Sequence, residues 1–189
     1  MRLLEASAAL IAERGYERTT LVEIGKRAGY SHGLVTRRFG NKANLLNALI
    51  DRMTARYGTH RLMNSTGELV GVEAVQKILR TIQHEAEHSP SGLRGFWALM
   101  FEALKPVPEL RAHIADINEE LRAGVAELMI AGLKAGQVRP GTDPHAAANL
   151  IASAMRGSAY FWMLDPERYD IVSELGNLSE QIEAAYRNR

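Results

Sequence analysis

The chain is built from short apolar-periodic stretches separated by breaks, and nearly all of that periodicity is helical. Leu3, Leu4, Ser7, Leu10 and Ile11 fall on one face of a helix over residues 2–14, and Gly15 suits its C-terminal cap. Thr20-Leu21-Val22-Glu23 has the form of a capping box, in which a Thr hydroxyl and a Glu carboxylate satisfy orphan amides opening a second helix. Leu21, Ile24 and Ala28 carry that helix to Gly29, which can take the left-handed conformation that ends it. Ser31 then caps a third helix reaching about Arg38, with Val35 and Phe39 pointing inward. Gly40-Asn41 breaks the chain again, and Asn41 caps a fourth helix from Lys42 to about Tyr57.

The segment from Gly58 to Gly71 is mixed and polar, and places a boundary near residues 60–70. Helices are predicted beyond it at about 72–88, 92–105, 109–135, 144–164 and 168–187. Their breaks are Ser89-Pro90-Ser91-Gly92, Pro106-Val107-Pro108, Arg139-Pro140-Gly141 and Asp165-Pro166. Asp143 before Pro144 and Asp165 before Pro166 each read as an N-cap followed by proline at the first helical position. Strand signals are nearly absent. The fold class is therefore all-α. Residues 1–50 form an N-terminal three-helix unit, the helix over about 42–57 bridges, and residues 51–189 form a larger helical domain.

Composition narrows the classes. At 46% hydrophobic residues the chain can bury a core, and no apolar run approaches the length needed to span a membrane. The N-terminus interleaves Glu5, Glu13 and Arg14 with its apolar residues, so it reads as an amphipathic helix and not an export signal. Cysteine is absent, which excludes disulfides, thiolate zinc sites and cysteine nucleophiles and fits a cytoplasmic location. The net charge of +1 hides an asymmetry. Residues 1–61 carry 11 Lys/Arg against 5 Asp/Glu, and the remainder carries 12 against 17. A basic N-terminal third points to local contact with a polyanion.

The second and third helices, joined by a tight glycine-containing turn, make a helix-turn-helix whose second helix enters the DNA major groove. The candidate DNA-facing residues are Thr20, Ser31, His32, Gly33, Leu34, Thr36, Arg37, Arg38 and Lys42. Arg37 can take guanine O6 and N7 bidentately, and His32 can donate to a purine. Gly33 lets the backbone approach, and Leu34 suits a thymine methyl. Lys42, in the first turn of the next helix, suits a phosphate. The expected partner is double-stranded operator DNA.

Gly15 through Leu46, GYERTTLVEIGKRAGYSHGLVTRRFGNKANLL, resembles the DNA-binding domain of TetR-family transcriptional regulators. Gly15-Tyr16, Thr20, Ile24, Ala28-Gly29, Ser31, Gly33, Phe39, Lys42 and Leu45 carry the match. Three positions depart from the usual pattern. Thr36 replaces a tyrosine that contacts the DNA backbone, Gly25 an alanine facing helix three, and Tyr30 a common valine. The family also commonly has a basic arm before helix one, whereas this sequence opens almost inside that helix.

The resemblance implies a homodimer paired through its last two helices, with a small-molecule effector bound by the preceding ones. The residues support pairing independently. Helix 144–164 is rich in small residues that permit close approach, among them Ala148, Ala152 and Gly157. Ile171, Leu175, Leu178 and Ile182 form an apolar stripe on the last helix. A monomer that packs its small-residue face internally is the alternative. Candidate effector-pocket residues are Trp97, Met100, Phe101, Met155, Phe161 and Trp162, since aromatic and methionine side chains suit an adaptable apolar cavity.

One motif pulls elsewhere. His84-Glu85-Ala86-Glu87-His88 matches H-E-x-x-H, in which two histidines one turn apart hold zinc and the glutamate is the general base. Glu102 or Glu109 could supply a third ligand. Histidines at a helix C-terminus are also favoured by the helix dipole without any metal. The function read from the sequence is a ligand-responsive DNA-binding regulator, a repressor released from a palindromic operator by its effector. It is not an enzyme, with no catalytic residue, metal or cofactor assigned. A metal-binding helical protein or zinc hydrolase, and a helical ligand carrier indifferent to DNA, are the alternatives.

Overall fold

The computed structural model describes residues 2–104 and 108–188, with side chains in the second segment from Leu110 onward. Within them the chain forms α1 (Arg2–Arg14), α2 (Leu21–Ala28), α3 (His32–Phe39), α4 (Lys42–Tyr57) and α5 (Thr59–Asn64). There follow α6 (Gly71–His88), α7 (Pro90–Glu102), α8 (Pro108–Lys134), α9 (Pro144–Leu164) and α10 (Ile171–Tyr186). Among the described residues no strand forms, and one antiparallel bridge joins Val138 to Arg187. The fold is all-α. No helix among the described residues is long and apolar enough to cross a membrane.

Two compact units make up the chain: residues 1–57 with 91–111, and residues 58–90 with 112–189. In the first, α1, α2, α3 and α4 close around Leu3, Ala6, Leu10, Ile24, Ala28, Val35 and Leu45, with Leu21 and Phe39 packed at the edge. Burying these side chains drives the packing, at roughly 1.5–3 kcal/mol for each large one. Ser7 lies on the same buried face of α1 because its hydroxyl donates to Leu3 O at 2.7 Å. The α7 helix passes Met53 of α4 and Ala8 of α1 at Gly95. Its last residue, buried Glu102, accepts the Tyr16 backbone N–H at 2.8 Å.

In the second unit α6 lies along α10. Gln76 Nε2 donates to Glu183 Oε2 at 3.1 Å, and Gln83 Nε2 to Val172 O at 2.7 Å. Buried Val75, Ile78, Leu79, Leu121, Val125, Met129, Ile151, Met155 and Leu175 fill its interior. Gly132 of α8 meets Gly71 so closely that a Cβ there would stand 2.4 Å from Gly71 Cα and 2.7 Å from Val138 Cγ2. The C-terminus is tied down beside this point: Arg139 N donates to Tyr186 O, and Asn188 N to Gln137 O.

Three details depart from the sequence expectations. Thr59–Asn64 forms α5 inside the segment read as a polar boundary, with Leu62 buried and Thr59 Oγ1 donating to Ile117 O at 3.2 Å. A helix this short carries too little periodicity to be seen, and tertiary contacts hold it. Asp165 closes α9 and does not cap the next helix, because its Oδ1 accepts from Arg168 N in a turn. Asp170 is the cap of α10, accepting from Val172 N and Ser173 N at 3.0 and 3.4 Å. Ser89 alone separates α6 from α7, with Pro90 at the first position of α7. The expected helix end at Lys105, the break at Pro106-Val107 and the side chain of Glu109 lie outside the described residues.

Candidate nucleic-acid interface

Local chemistry sets the α2–turn–α3 geometry. Thr20 Oγ1 accepts from Glu23 N at 3.3 Å, and Glu23 Oε2 accepts from Thr20 N at 3.0 Å, so the capping box is complete. The Thr20 hydroxyl also donates to Glu23, and Arg14 Nη1 reaches the same carboxylate at 2.8 Å. Hydrogen bonds from Thr20 and then the Arg14 charge hold the Glu23 carboxyl below its ordinary pKa. The box is therefore present above the unfolded carboxyl pKa and loosens as pH falls and Glu23 protonates. Thr20→Ala should cost about 1 kcal/mol, read as a lower urea midpoint in unfolding followed by circular dichroism. An unchanged midpoint would show that α2 stands without its cap.

Gly29 ends α2 at φ 77°, and Tyr30 N donates back to Gly25 O at 2.8 Å. A Cβ at Gly25 would meet Tyr30 O at 2.9 Å and Val35 Cγ2 at 3.1 Å. That accounts for glycine where the related pattern has alanine: in this chain the turn and α3 sit against the backbone of α2. Ser31 Oγ accepts from Leu34 N at 3.3 Å to open α3, and Val35 is fully buried behind it.

With Val35 anchored and Phe39 packed at the edge of the same core, most of the remaining α3 positions are left to solvent. Ser31, His32, Gly33, Thr36, Arg37 and Arg38 are exposed, and Leu34 is half-buried. His32 Nε2 and Thr36 Oγ1, one turn apart, lie 3.2 Å from each other. Among the described residues Arg37 and Arg38 have no acidic partner, whereas Arg27 is taken by Glu13 at 2.6 Å. That ion pair lowers the Glu13 pKa and raises that of Arg27. Arg38 lies 5.5 Å from the centre of the Phe39 ring. Asn41 Oδ1 caps α4 through Asn44 N at 2.8 Å. Lys42 Nζ stands 4.1 Å over the Tyr16 ring and donates to Glu17 O at 3.1 Å, so its ammonium is held at the α1–α2 loop. Sequence reading missed Tyr16 and Glu17 as partners of Lys42, because nothing local marks a contact across 25 positions.

The other expected residues are distributed as follows. Trp97 and Met100 are buried and Phe101 half-buried in the first unit; Met155 and Trp162 are buried in the second. Phe161 is 52% exposed and stacks on Tyr169 at 5.5 Å. None of the six borders the groove of about 470 Å³ between α8 and α9, whose walls are Glu119, Arg122, Ala123, His145, Ala148 and Asn149. Ala148, Ala152, Ile171, Leu175 and Ile182 are buried within the chain itself, whereas Gly157 and Leu178 are partly open. The stripe α9 leaves outward is instead Ala146, Leu150, Ser153, Gly157, Phe161 and Leu164. One residue sequence reading passed over is Arg156, the only charge between His145 and Asp165. Its Nε donates to Asn118 Oδ1 at 2.8 Å, and desolvation lowers its pKa to about 10.

Within His84-Glu85-x-x-His88 both histidines are exposed, but Glu85 is buried and its Oε1 takes Arg61 Nη2 at 2.5 Å. A carboxylate held in that pair is on the wrong side of α6 to serve as general base, so the hydrolase reading loses its central group.

Comparison with known proteins agrees with this geometry. Residues 3–49 match the profile of bacterial regulatory proteins of the tetR family, and residues 71–184 that of the BetI-type transcriptional repressor C-terminal region. The chain is 21% identical over 189 residues to the fatty acid metabolism regulator protein of Bacillus subtilis, covering 100% of this chain and 96% of that one. Among solved structures it is similar to SmeT, the repressor of the Stenotrophomonas maltophilia multidrug efflux pump SmeDEF. That likeness has TM-score 0.80 and 24% identity, over 99% of this chain and 89% of that one. A SmeT–triclosan complex matches with the same TM-score of 0.80 and identity of 24%, over 99% and 90%. FadR of Bacillus subtilis in complex with stearoyl-CoA matches at TM-score 0.78 and 21% identity, over 96% of both chains. With the capped turn, the outward arginines and both profiles falling on one sequence, the chain belongs to the TetR family of ligand-responsive, DNA-binding transcriptional regulators.

Proposed function

We propose that the chain acts in the cytoplasm as a homodimeric repressor that reads a palindromic operator with α3 and leaves it when an effector binds. The observation that carries this is the exposed Arg37-Arg38 pair, without an acidic partner among the described residues, on a helix fixed by its Ser31 cap and buried Val35. In this reading Arg37, His32 and Thr36 face base edges, while Thr20, Ser31, Arg38 and Lys42 hold phosphates. Gly33 and Leu34 make the closest backbone and apolar approaches. A two-fold dimer brings two such helices to half-sites one helical turn apart, which is why the operator is palindromic.

The outward stripe of α9 supports pairing through that helix. A monomer would leave Leu150, Phe161 and Leu164 in water, and the small Ser153 and Gly157 between them let a second helix come close. For the effector, FadR bound to stearoyl-CoA and SmeT bound to triclosan support a largely apolar organic molecule. Met155 and Trp162 suit its apolar body, and Arg156 with Asn118 its polar or anionic end. The effector acts by population shift, and its differential affinity for the two states sets the size of the response.

Salt titration of operator binding tests the reading. A dimer meeting roughly 6–10 phosphates loses about 10³–10⁵ in affinity between 50 and 200 mM salt. A flat response would sink it.

A further inference from the structure

We propose that His84, Glu87 and His88 form a surface site for one divalent transition-metal ion at the last turn of α6. One ligand atom from each residue lies within 4.8 Å of the others, and all three side chains are exposed. The two imidazoles, four residues apart on one helix face, already lie side by side with centroids 4.0 Å apart and planes tilted by 31°. Metal–nitrogen bonds of about 2.0–2.1 Å put neighbouring ligand atoms roughly 3.4 Å apart. Rotation of exposed side chains through an ångström or so closes the gap without moving the backbone.

A second observation concerns the tautomer. His88 Nδ1 lies 2.9 Å from His84 O. A carbonyl oxygen only accepts, so Nδ1 carries the hydrogen and the nitrogen left to bind a metal is Nε2. Metal-binding histidines are typically oriented in this way, by the outer nitrogen donating to a carbonyl or carboxylate. The site also sits where the free carbonyls ending α6 favour a cation. Glu85 is excluded from it by Arg61, which separates binding from hydrolysis. Two imidazoles and a carboxylate select the borderline ions Zn²⁺, Ni²⁺ and Cu²⁺ over Mg²⁺ or Ca²⁺. Bound metal would join positions 84, 87 and 88 across one turn and stiffen the helix end that precedes Ser89.

The test uses the untagged full chain titrated calorimetrically with ZnCl₂ and NiCl₂, with MgCl₂ as comparison. One equivalent per chain is expected for the first two and no saturable heat for the third. His84→Ala and His88→Ala should each weaken binding at least about tenfold, the lower bound seen when even an outer partner of a ligand is lost. Both positions are exposed, so the circular dichroism of these variants should match the parent. His60→Ala, at an exposed histidine on α5, should leave the titration unchanged. Binding that survives the double variant His84→Ala/His88→Ala, an equal loss on His60→Ala, or no saturable binding at all would overturn the site.

Discussion

If the proposed operator reading holds, the double variant Arg37→Ala/Lys42→Ala should lose about 10²–10⁴ in specific operator affinity, since the proposed dimer would give up two guanine contacts worth about 1–3 kcal/mol apiece. The singles should separate the two roles. Arg37→Ala should relax the preference at one base pair of each half-site, if the forked guanidinium supplies the discrimination there as proposed. Lys42→Ala should weaken binding to all sequences alike and reduce the salt slope by about 2, one phosphate for each protomer of the proposed dimer. Fluorescence anisotropy with the operator, one mutated operator and random DNA measures all three effects. Because Lys42 also touches Tyr16 and Glu17, the melting curve of its variant must match the parent before its affinity is read. Equal loss on every sequence for Arg37→Ala would remove it from base readout.

Gly132→Ala should be strongly destabilising for a single added methyl. The added carbon meets Gly71 Cα at 2.4 Å, Val138 Cγ2 at 2.7 Å and Gly71 N at 2.9 Å. Two of those atoms are backbone, at a residue held at φ 58°, so no side chain can swing aside. The start of α6 must shift, and with it the α6–α10 packing. Overpacking of this kind costs about 1–3 kcal/mol and sometimes more. For a chain of this length, each kilocalorie lowers the melting midpoint by about 2–4 °C. Thermal melting of the purified variant checks this, and a midpoint within a degree of the parent would show that the α6 start is more plastic than its geometry implies.

How far the sequence could be read depended on how local each signal was. The first four helices were legible almost residue by residue, because Thr20, Ser31 and Asn41 each cap the helix that follows and Gly15, Gly29 and Gly40 each close the one before. Arg37 was legible for the same reason: once Val35 is inward, the position two residues on lies on the opposite side of α3, whereas Arg38, three residues on, is exposed at the edge of the buried face. Asp165-Pro166 misled because a cap-then-proline pair also opens a turn, and the apolar stripe that must be buried begins only at Ile171. The outward face of α9 was harder still. Small residues occur on several sides of α9, and periodicity cannot say which side its own neighbours consume. Ala148 and Ala152 went to the interior, while Leu150 and Phe161 stayed in water. Arg156 stood out by its isolation in sequence, but its tie to Asn118 spans 38 positions and has no local trace.

The bond from Tyr16 N to Glu102 bears on how this regulator could be rebuilt. The DNA-reading part is not a contiguous cassette, since residues 91–111 belong to the same compact unit as residues 1–57. A chimera cut after α4 would lose the Glu102 acceptor of the Tyr16 amide and uncover apolar surface at Ala8 and Met53. Transplanting the reading head onto another sensor therefore means carrying α7 along, or supplying a helix with an acid at its end and a glycine two turns earlier.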